Sequence, residues 1–164
     1  MRSEGHILDQ TVSDVLGDRL PRAATVGQDA SLKDAMDAMI AGEMATKVHV
    51  VDDWGRLLGT ITIETVMRQV GYRLKVREPG VISFIKYLKD MLRDDATDFM
   101  GDTTPVTMDT SIVEATRLMV AEHVNDLPIV DADRRVIGEL RAVLILTESR
   151  DLFDRESPGD RPSP

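Results

Sequence analysis

Apolar residues recur along the chain first at helical spacing and then in short runs, and the whole succession occurs twice. Leu32, Ala35, Met36, Met39 and Ile40 stand at i, i+3, i+4, i+7 and i+8, the spacing of one helix face. Ile112, Ala115, Met119 and Val120 repeat that stripe. Each stripe follows a serine with an acid three residues on, Ser31 with Asp34 and Ser111 with Glu114, close to the capping-box pattern of a helix start. Runs rich in β-branched residues come next, Val48 to Val51 and Leu127 to Val130. Polar turns follow, Asp52 to Arg56 and Asp131 to Arg135, and then second apolar runs, Leu57 to Ile61 and Val136 to Leu140. That order predicts a strand, a hairpin turn and a second strand in each copy. A closing helix is expected after each hairpin. In the first copy Ile63, Val66, Met67, Val70 and Leu74 share its face; in the second, Val143 to Phe153 is apolar enough to be largely buried. The methionines fall at helical spacing in these stripes and read as core.

Local matches confirm a duplication. Asp14-Val15-Leu16-Gly17-Asp18 returns as Asp98-Phe99-Met100-Gly101-Asp102, 84 residues later. Ser31 to Ala35 returns as Ser111 to Ala115 at 80, and Val50-Val51-Asp52 and Leu57-Leu58-Gly59 return at 79 as Ile129-Val130-Asp131 and Val136-Ile137-Gly138. The offset shrinks where loops fall, as expected of copies whose loops have drifted. Between the copies, Pro79-Gly80 breaks the chain and Val81, Phe84, Ile85, Leu88, Met91 and Leu92 form a further helical stripe, with Lys86, Lys89, Asp90 and Arg93 opposite. Two readings of this connector stand: a helix packed on the body of the module, or a surface for a second subunit, because an extra apolar stripe needs a cover. The tail, residues 156–164, is rich in Pro, Asp and Ser and is expected to be disordered.

Composition narrows the function. The 164 residues suffice for one ordinary domain or two small ones with a shared core. Twenty basic residues against twenty-nine acidic ones give a net charge of −9, and aromatics are 4% of the chain. Nucleic-acid binding is therefore not expected, since it rests on clustered cations and stacking platforms. The chain has no cysteine, which removes disulfides, thiolate metal sites and a thiol nucleophile and suits a reducing compartment. Residues 1–10 carry no signal-peptide core and no run approaches membrane-spanning length, so a cytoplasmic protein without membrane insertion is expected.

The text Glu114 to Leu140, "EATRLMVAEHVNDLPIVDADRRVIGEL", with its looser counterpart from Lys33 to Val66, resembles the tandem cystathionine beta-synthase (CBS) domain family. The resemblance implies an α+β (α/β-like) fold: two βαββα units about a pseudo-twofold axis, spanning residues 11–77 and 95–155, with the connector helix in 78–94. It also implies clefts between the units where many members bind adenosine-containing nucleotides, and a disc-shaped homodimer. The family's nucleotide signature runs Gly-x-x-(Thr/Ser)-x-x-Asp from strand into helix. The hydroxyl and the helix N-terminus suit a phosphate, and the Asp accepts from the ribose hydroxyls. The first copy reads Gly59-Thr60-Ile61-Thr62-Ile63-Glu64-Thr65, keeping the hydroxyl at Thr62 and placing Thr65 where the carboxylate belongs. The second has Arg141 for the hydroxyl and Leu144 for the carboxylate. A hydrogen bond to a charged group contributes about 1.5–3 kcal/mol, so the first site is expected to bind roughly ten- to a hundredfold more weakly than a full signature. Arg141 is a candidate phosphate ligand, or a strand-end arginine paired with Glu139.

Other chemistry finds little support. His6, His49 and His123 lack a second histidine at helical spacing, so no zinc site is expected; His49 reads as structural and His123 as the end of a helix. No strained serine elbow or phosphate-cradling loop is present, and no catalytic residue is assigned. The paired acids Asp52-Asp53 and Asp131/Asp133 suit turns, with a divalent-cation site as the alternative. The chain is thus expected to be a non-enzymatic regulatory module. Its ligand would be AMP, ADP, ATP or S-adenosylmethionine, held by Thr62, Thr65, Val48 and Val50, with Arg141 in the second cleft. It would control an enzyme, transporter or channel in trans. The alternatives are a structural or dimerisation module with degenerate sites, and a cation sensor.

Overall fold

The computed structural model describes residues 9–42, 45–76 and 81–156. The first eight residues, the break at Pro79-Gly80 and the tail from 157 lie outside the described residues. The elements run α1 (Val12–Leu16), β1 (Thr25–Gly27), α2 (Leu32–Ala41), β2 (Lys47–Val51), β3 (Leu57–Thr62), α3 (Ile63–Val76) and α4 (Val81–Leu92). A 3-10 turn (Ala96–Phe99) leads to α5 (Ile112–Glu122), β4 (Asp126–Val130), β5 (Val136–Arg141) and α6 (Ala142–Glu156). This is a mixed α+β chain.

Two compact units divide it in an interleaved way. Unit 2 is residues 22–103 with the hairpin tip 130–137, whereas unit 1 gathers the N-terminal segment up to Pro21 with residues 104–129 and those from Gly138 onward. In unit 2, β2 lies between β1, which runs parallel to it, and β3, which runs antiparallel. Val26, Val50 and Gly59 share one level of this sheet, and Val48 faces Ile61. Val48, Val50 and Ile61 are wholly buried against Leu32, Ala35 and Met39 of α2 and Val66 and Val70 of α3. The connector α4 packs on this same core, with Met91 1% exposed and Phe84, Leu88 and Leu92 beside it. In unit 1 the sheet is the β4–β5 hairpin, and the counterpart of β1 is reduced to one parallel bridge between Val106 and Ile129. At its tip the second hairpin joins unit 2: Val136 N–H donates to Gly55 O and Leu57 N–H to Arg134 O.

Capping sets where the helices start. Thr11 and Ser31 each accept from the backbone N–H of an aspartate at the third helical position, and Asp14 and Asp34 accept in return. The backbone hydrogen bond, then the hydroxyl, holds each of these carboxyls below its ordinary range. Ser111 caps α5 in the same way, but Glu114 turns instead to Arg117 at 2.6 Å, so that box is half made. His123 ends α5 in the left-handed region at φ 54°. Leu32, Ala35 and Met39, and Ile112, Ala115 and Met119, are the buried positions of the two equivalent helices, while the expected stripe members Ile40 and Val120 are 61% and 69% exposed. Among the described side chains of the closing helices, Met67, Val143 and Leu146 are exposed and Val66, Val70 and Ile145 are buried; Leu152 and Phe153, at the end of the expected buried run, lie outside the described side chains.

The segments before each copy explain both the interleaving and the glycines. In unit 2, Leu32 N–H donates to Asp94 O, Ala96 N–H to Ala30 O and Thr60 N–H to Gly101 O. In unit 1 the same roles fall to Ile112 N–H with Gln10 O, Val12 N–H with Thr110 O and Glu139 N–H with Pro21 O. The equivalence thus begins at an offset of 84 and ends at 80. Gly17 is therefore not the counterpart of Gly101, as the sequence match implies; Pro21 is, because the first copy holds four extra residues after α1. Gly59 and Gly138 lie beneath these segments. A Cβ at 59 would meet Gly101 O at 2.9 Å and Met100 Sδ at 3.0 Å, and one at 138 would meet Leu20 Cδ1 at 2.6 Å and Pro21 O at 2.9 Å. Val12, Val15 and Leu16 belong to the core of unit 1 and are at most 4% exposed. Each buried side chain of this kind contributes about 1.5–3 kcal/mol, so their loss would approach the whole net stability of a small domain, about 5–15 kcal/mol.

Gly59→Ala should therefore destabilise the protein by about 1–3 kcal/mol through overpacking. Gly71→Ala, in α3 with nothing within 4 Å of the added Cβ, should stabilise it by about 0.5–1 kcal/mol. Thermal or urea melts of the two variants beside the parent check the opposite signs.

Candidate functional site

The corner where β3 turns into α3 carries the residues singled out in the first copy. The chain leaves the sheet at Thr62, and Ile63 N–H donates to Thr46 O at 3.0 Å, which anchors the start of the helix to the loop before β2. Thr62 Oγ1 accepts from Thr65 N–H at 3.1 Å and lies 3.0 Å from Thr65 Oγ1. Thr62 is thus the N-cap of α3, and Thr65 occupies the third helical position, the place Asp34 holds after Ser31. A carboxylate there would complete a capping box; the threonine replaces it with a hydroxyl-to-hydroxyl bond. Two of the first three amides of α3, those of Ile63 and Thr65, already have acceptors in the chain. Glu64 is exposed in this first turn, its charge balanced by Arg68 at 2.7 Å. Thr62 and Thr65 are both half-buried, so the structure brings these two candidates together with a face open to solvent.

Val48 and Val50, expected near a base, do not join them. Their β2 positions face the core of unit 2, and neither exposes any surface, so their side chains offer a ligand nothing to touch. The residue between them, His49, points to the other face of the sheet. It is fully buried, and its Nδ1 lies 2.7 Å from Thr60 Oγ1, its direct partner across the hairpin. This buried polar pair escaped the sequence analysis. The pairing is not readable from the turn: Val51 stands opposite Leu57, which alone would put His49 opposite Gly59, and the irregularity between Val50 and Val51 shifts the register so that His49 meets Thr60.

The corresponding corner of unit 1 is built differently. Ala142 N–H donates to Asn125 O at 2.7 Å, as Ile63 does in unit 2, but no hydroxyl precedes the helix. Arg141 Nε lies 3.5 Å from Glu139 Oε2, with the arginine side chain 48% exposed and the glutamate 6%. The arginine is thereby placed as the strand-end partner of Glu139. Leu144, at the position of the family's carboxylate, packs against the unit 1 core. Nearby, an apolar groove of about 490 Å³ runs between α5 and α6, lined by Met119, Val120, Val124, Ile145 and Leu146, with His123 and Asn125 at its polar end.

The turn acids act as turn acids. Asp52 Oδ1 accepts from the N–H groups of Trp54 and Arg56, and Asp131 Oδ1 accepts from those of Asp133 and Arg135. Among the described residues no group of three or more His, Asp or Glu is arranged to hold a metal ion. No helix of the described residues is long and apolar enough to cross a membrane.

The CBS domain matches the chain over residues 12–72 and 96–148. No curated protein sequence matches significantly. Among solved structures, a CBS domain-containing protein from Thermotoga maritima superposes with a TM-score of 0.67 at 24% identity, covering 87% of this chain and 95% of that one. CBSX2, solved in complex with AMP, gives 0.64 at 23% identity, with coverage of 87% and 98%. The cytosolic domain of the Mg2+ channel MgtE, solved in complex with ATP, gives 0.60 at 19% identity, covering 87% of this chain and 51% of that one. At these identities the likeness is one of fold.

Thr62→Val, which removes the cap acceptor at nearly constant volume, should cost about 0.5–2 kcal/mol, and Thr62→Ser should restore most of it. Denaturant titration of the two variants checks the pair.

Proposed function

The chain belongs to the CBS-domain family, as a tandem pair, and on that premise we propose that it is a non-catalytic regulatory module that senses an adenine nucleotide. The observation that carries this reading is the β3–α3 corner of unit 2. There a half-buried hydroxyl pair, Thr62 and Thr65, stands at a helix N-terminus, where the helix dipole favours an anion and the hydroxyls, rather than the already engaged amides of Ile63 and Thr65, would meet it. A phosphate would approach Thr62 and a ribose hydroxyl Thr65. Two structural neighbours that carry AMP and ATP support an adenine nucleotide over other anions, with ADP and S-adenosylmethionine as further candidates. The base would lie against groups other than the side chains of Val48 and Val50. Occupancy would bias the protein between states that a partner distinguishes. That partner would be an enzyme, transporter or channel in the cytoplasm, and the module would act as a homodimer.

A second reading, a structural or dimerisation module that has lost its ligand, rests on different observations. Thr62 and Thr65 satisfy one another, Arg141 is engaged by Glu139 and Leu144 is drawn into the core. Equivalent positions of the two units also leave apolar side chains exposed, Ile40 with Val120 and Met67 with Leu146, faces suited to a second copy.

Thermal-shift and calorimetric titration with AMP, ADP, ATP and S-adenosylmethionine separates the two, because a ligand of the native state must raise its stability. The first reading expects a rise with at least one nucleotide. It further expects Thr65→Asp, which restores a ribose acceptor, to tighten binding about tenfold or more. The same substitution completes a capping box, so affinity must be read apart from ligand-free stability. A stable dimer indifferent to every nucleotide, in both the parent and Thr65→Asp, favours the second reading.

A further inference from the structure

Residues 9–21 belong to unit 1 although the chain carries them directly into unit 2, and their attachments are those of a bound peptide. Their backbone is held at both ends: Ile112 N–H donates to Gln10 O and Ser13 N–H to Met108 O, each at 2.9 Å, and Glu139 N–H donates to Pro21 O at 3.1 Å. Val12, Val15 and Leu16 fill the unit 1 core, and Leu20 lies in the space that the missing Cβ of Gly138 leaves open. Helix α1 carries its own cap at Thr11, so its local structure is written within the segment. The equivalent bonds in unit 2 come from residues 94–101 of one continuous stretch. The same slot is therefore filled once by contiguous chain and once by a remote segment whose connection passes through the exposed Arg22.

We propose that this slot in unit 1 is a binding site for residues 9–21 that is open to the same segment of a second copy, so that the segment is exchangeable between chains. Exchange of an identical element preserves every contact and changes only connectivity. The covalent tether gives the chain's own segment an effective concentration of about millimolar, which keeps the self-occupied form dominant in dilute solution. The partner is thus another copy of this chain, recognised by an apolar triad at helical spacing followed by Leu-Pro.

The test uses the full chain with a protease recognition site inserted between Arg22 and Ala23, cleaved after folding. The probe is a fluorescein-labelled peptide of residues 9–22. The cleaved protein should take up the labelled peptide stoichiometrically in exchange for its own segment, and the uncleaved protein at least about tenfold less, because the tethered segment competes. A probe carrying Leu16→Asp should not be taken up, since it would bury a charge. Retention of the original fragment with no uptake would overturn the proposal. So would release of the fragment with unit 1 amides still protected, or equal uptake of the Leu16→Asp probe. If the insertion prevents folding, the same challenge is made on the full chain carrying Val12→Asp, whose own segment is weakened. Stabilisation by the parent peptide supports the proposal, and no stabilisation at millimolar peptide overturns it.

Discussion

Two backbone segments approach the hairpins so closely that a methyl group beneath either would collide with a carbonyl oxygen. Met100-Gly101 runs over Gly59 in unit 2 and Leu20-Pro21 runs over Gly138 in unit 1, each held by the amide of the residue after the glycine. The glycines are there for space: neither has the positive φ that would call for glycine on conformational grounds. The rest follows from this approach. It fixes the residue before each segment over the sheet, it draws α1 and the Ala96–Phe99 turn onto the two cores, and it divides the chain into interleaved units rather than sequential halves.

Much of the fold was legible because two periodicities alternate so cleanly. The hairpin strands and the helices from 32 and 112 lie within a residue or two of where stripe and run placed them, and the repeated serine-plus-acid pattern marked both helix starts. Three features were hidden for physical reasons. β1 has only three residues, too few for alternation to declare itself, and its counterpart is a single bridge. The true equivalence of the leading segments was masked by the chance alignment of Gly17 with Gly101; Gly17 sits at φ 54° in the turn after α1, whereas Gly101 pairs with β3. The exposure of Ile40, Val120, Met67 and Leu146 was also unreadable, because a stripe shows which face is apolar but not how wide a band of it the core covers.

The site was legible in part. The Thr62–Thr65 spacing predicted two hydroxyls at a helix start, and the structure brings them within hydrogen-bond reach. Strand alternation puts the side chains of Val48 and Val50 on the core side, with His49 on the other face beside Thr60. The contrast between the two corners is local chemistry. A hydroxyl cap with a polar third residue gives unit 2 a polar, half-open helix start, while the equivalent places in unit 1 hold Arg141, beside Glu139, and a partly buried Leu144.

Each hairpin is completed by a leading segment paired across a glycine, and hydrogen exchange at the Thr60, Gly101 and Glu139 amides tests this most directly. If the pairing holds, these three exchange as slowly as amides inside the β2–β3 ladder. Exchange at the rate of an unfolded chain at these positions, with the ladder itself protected, would contradict it.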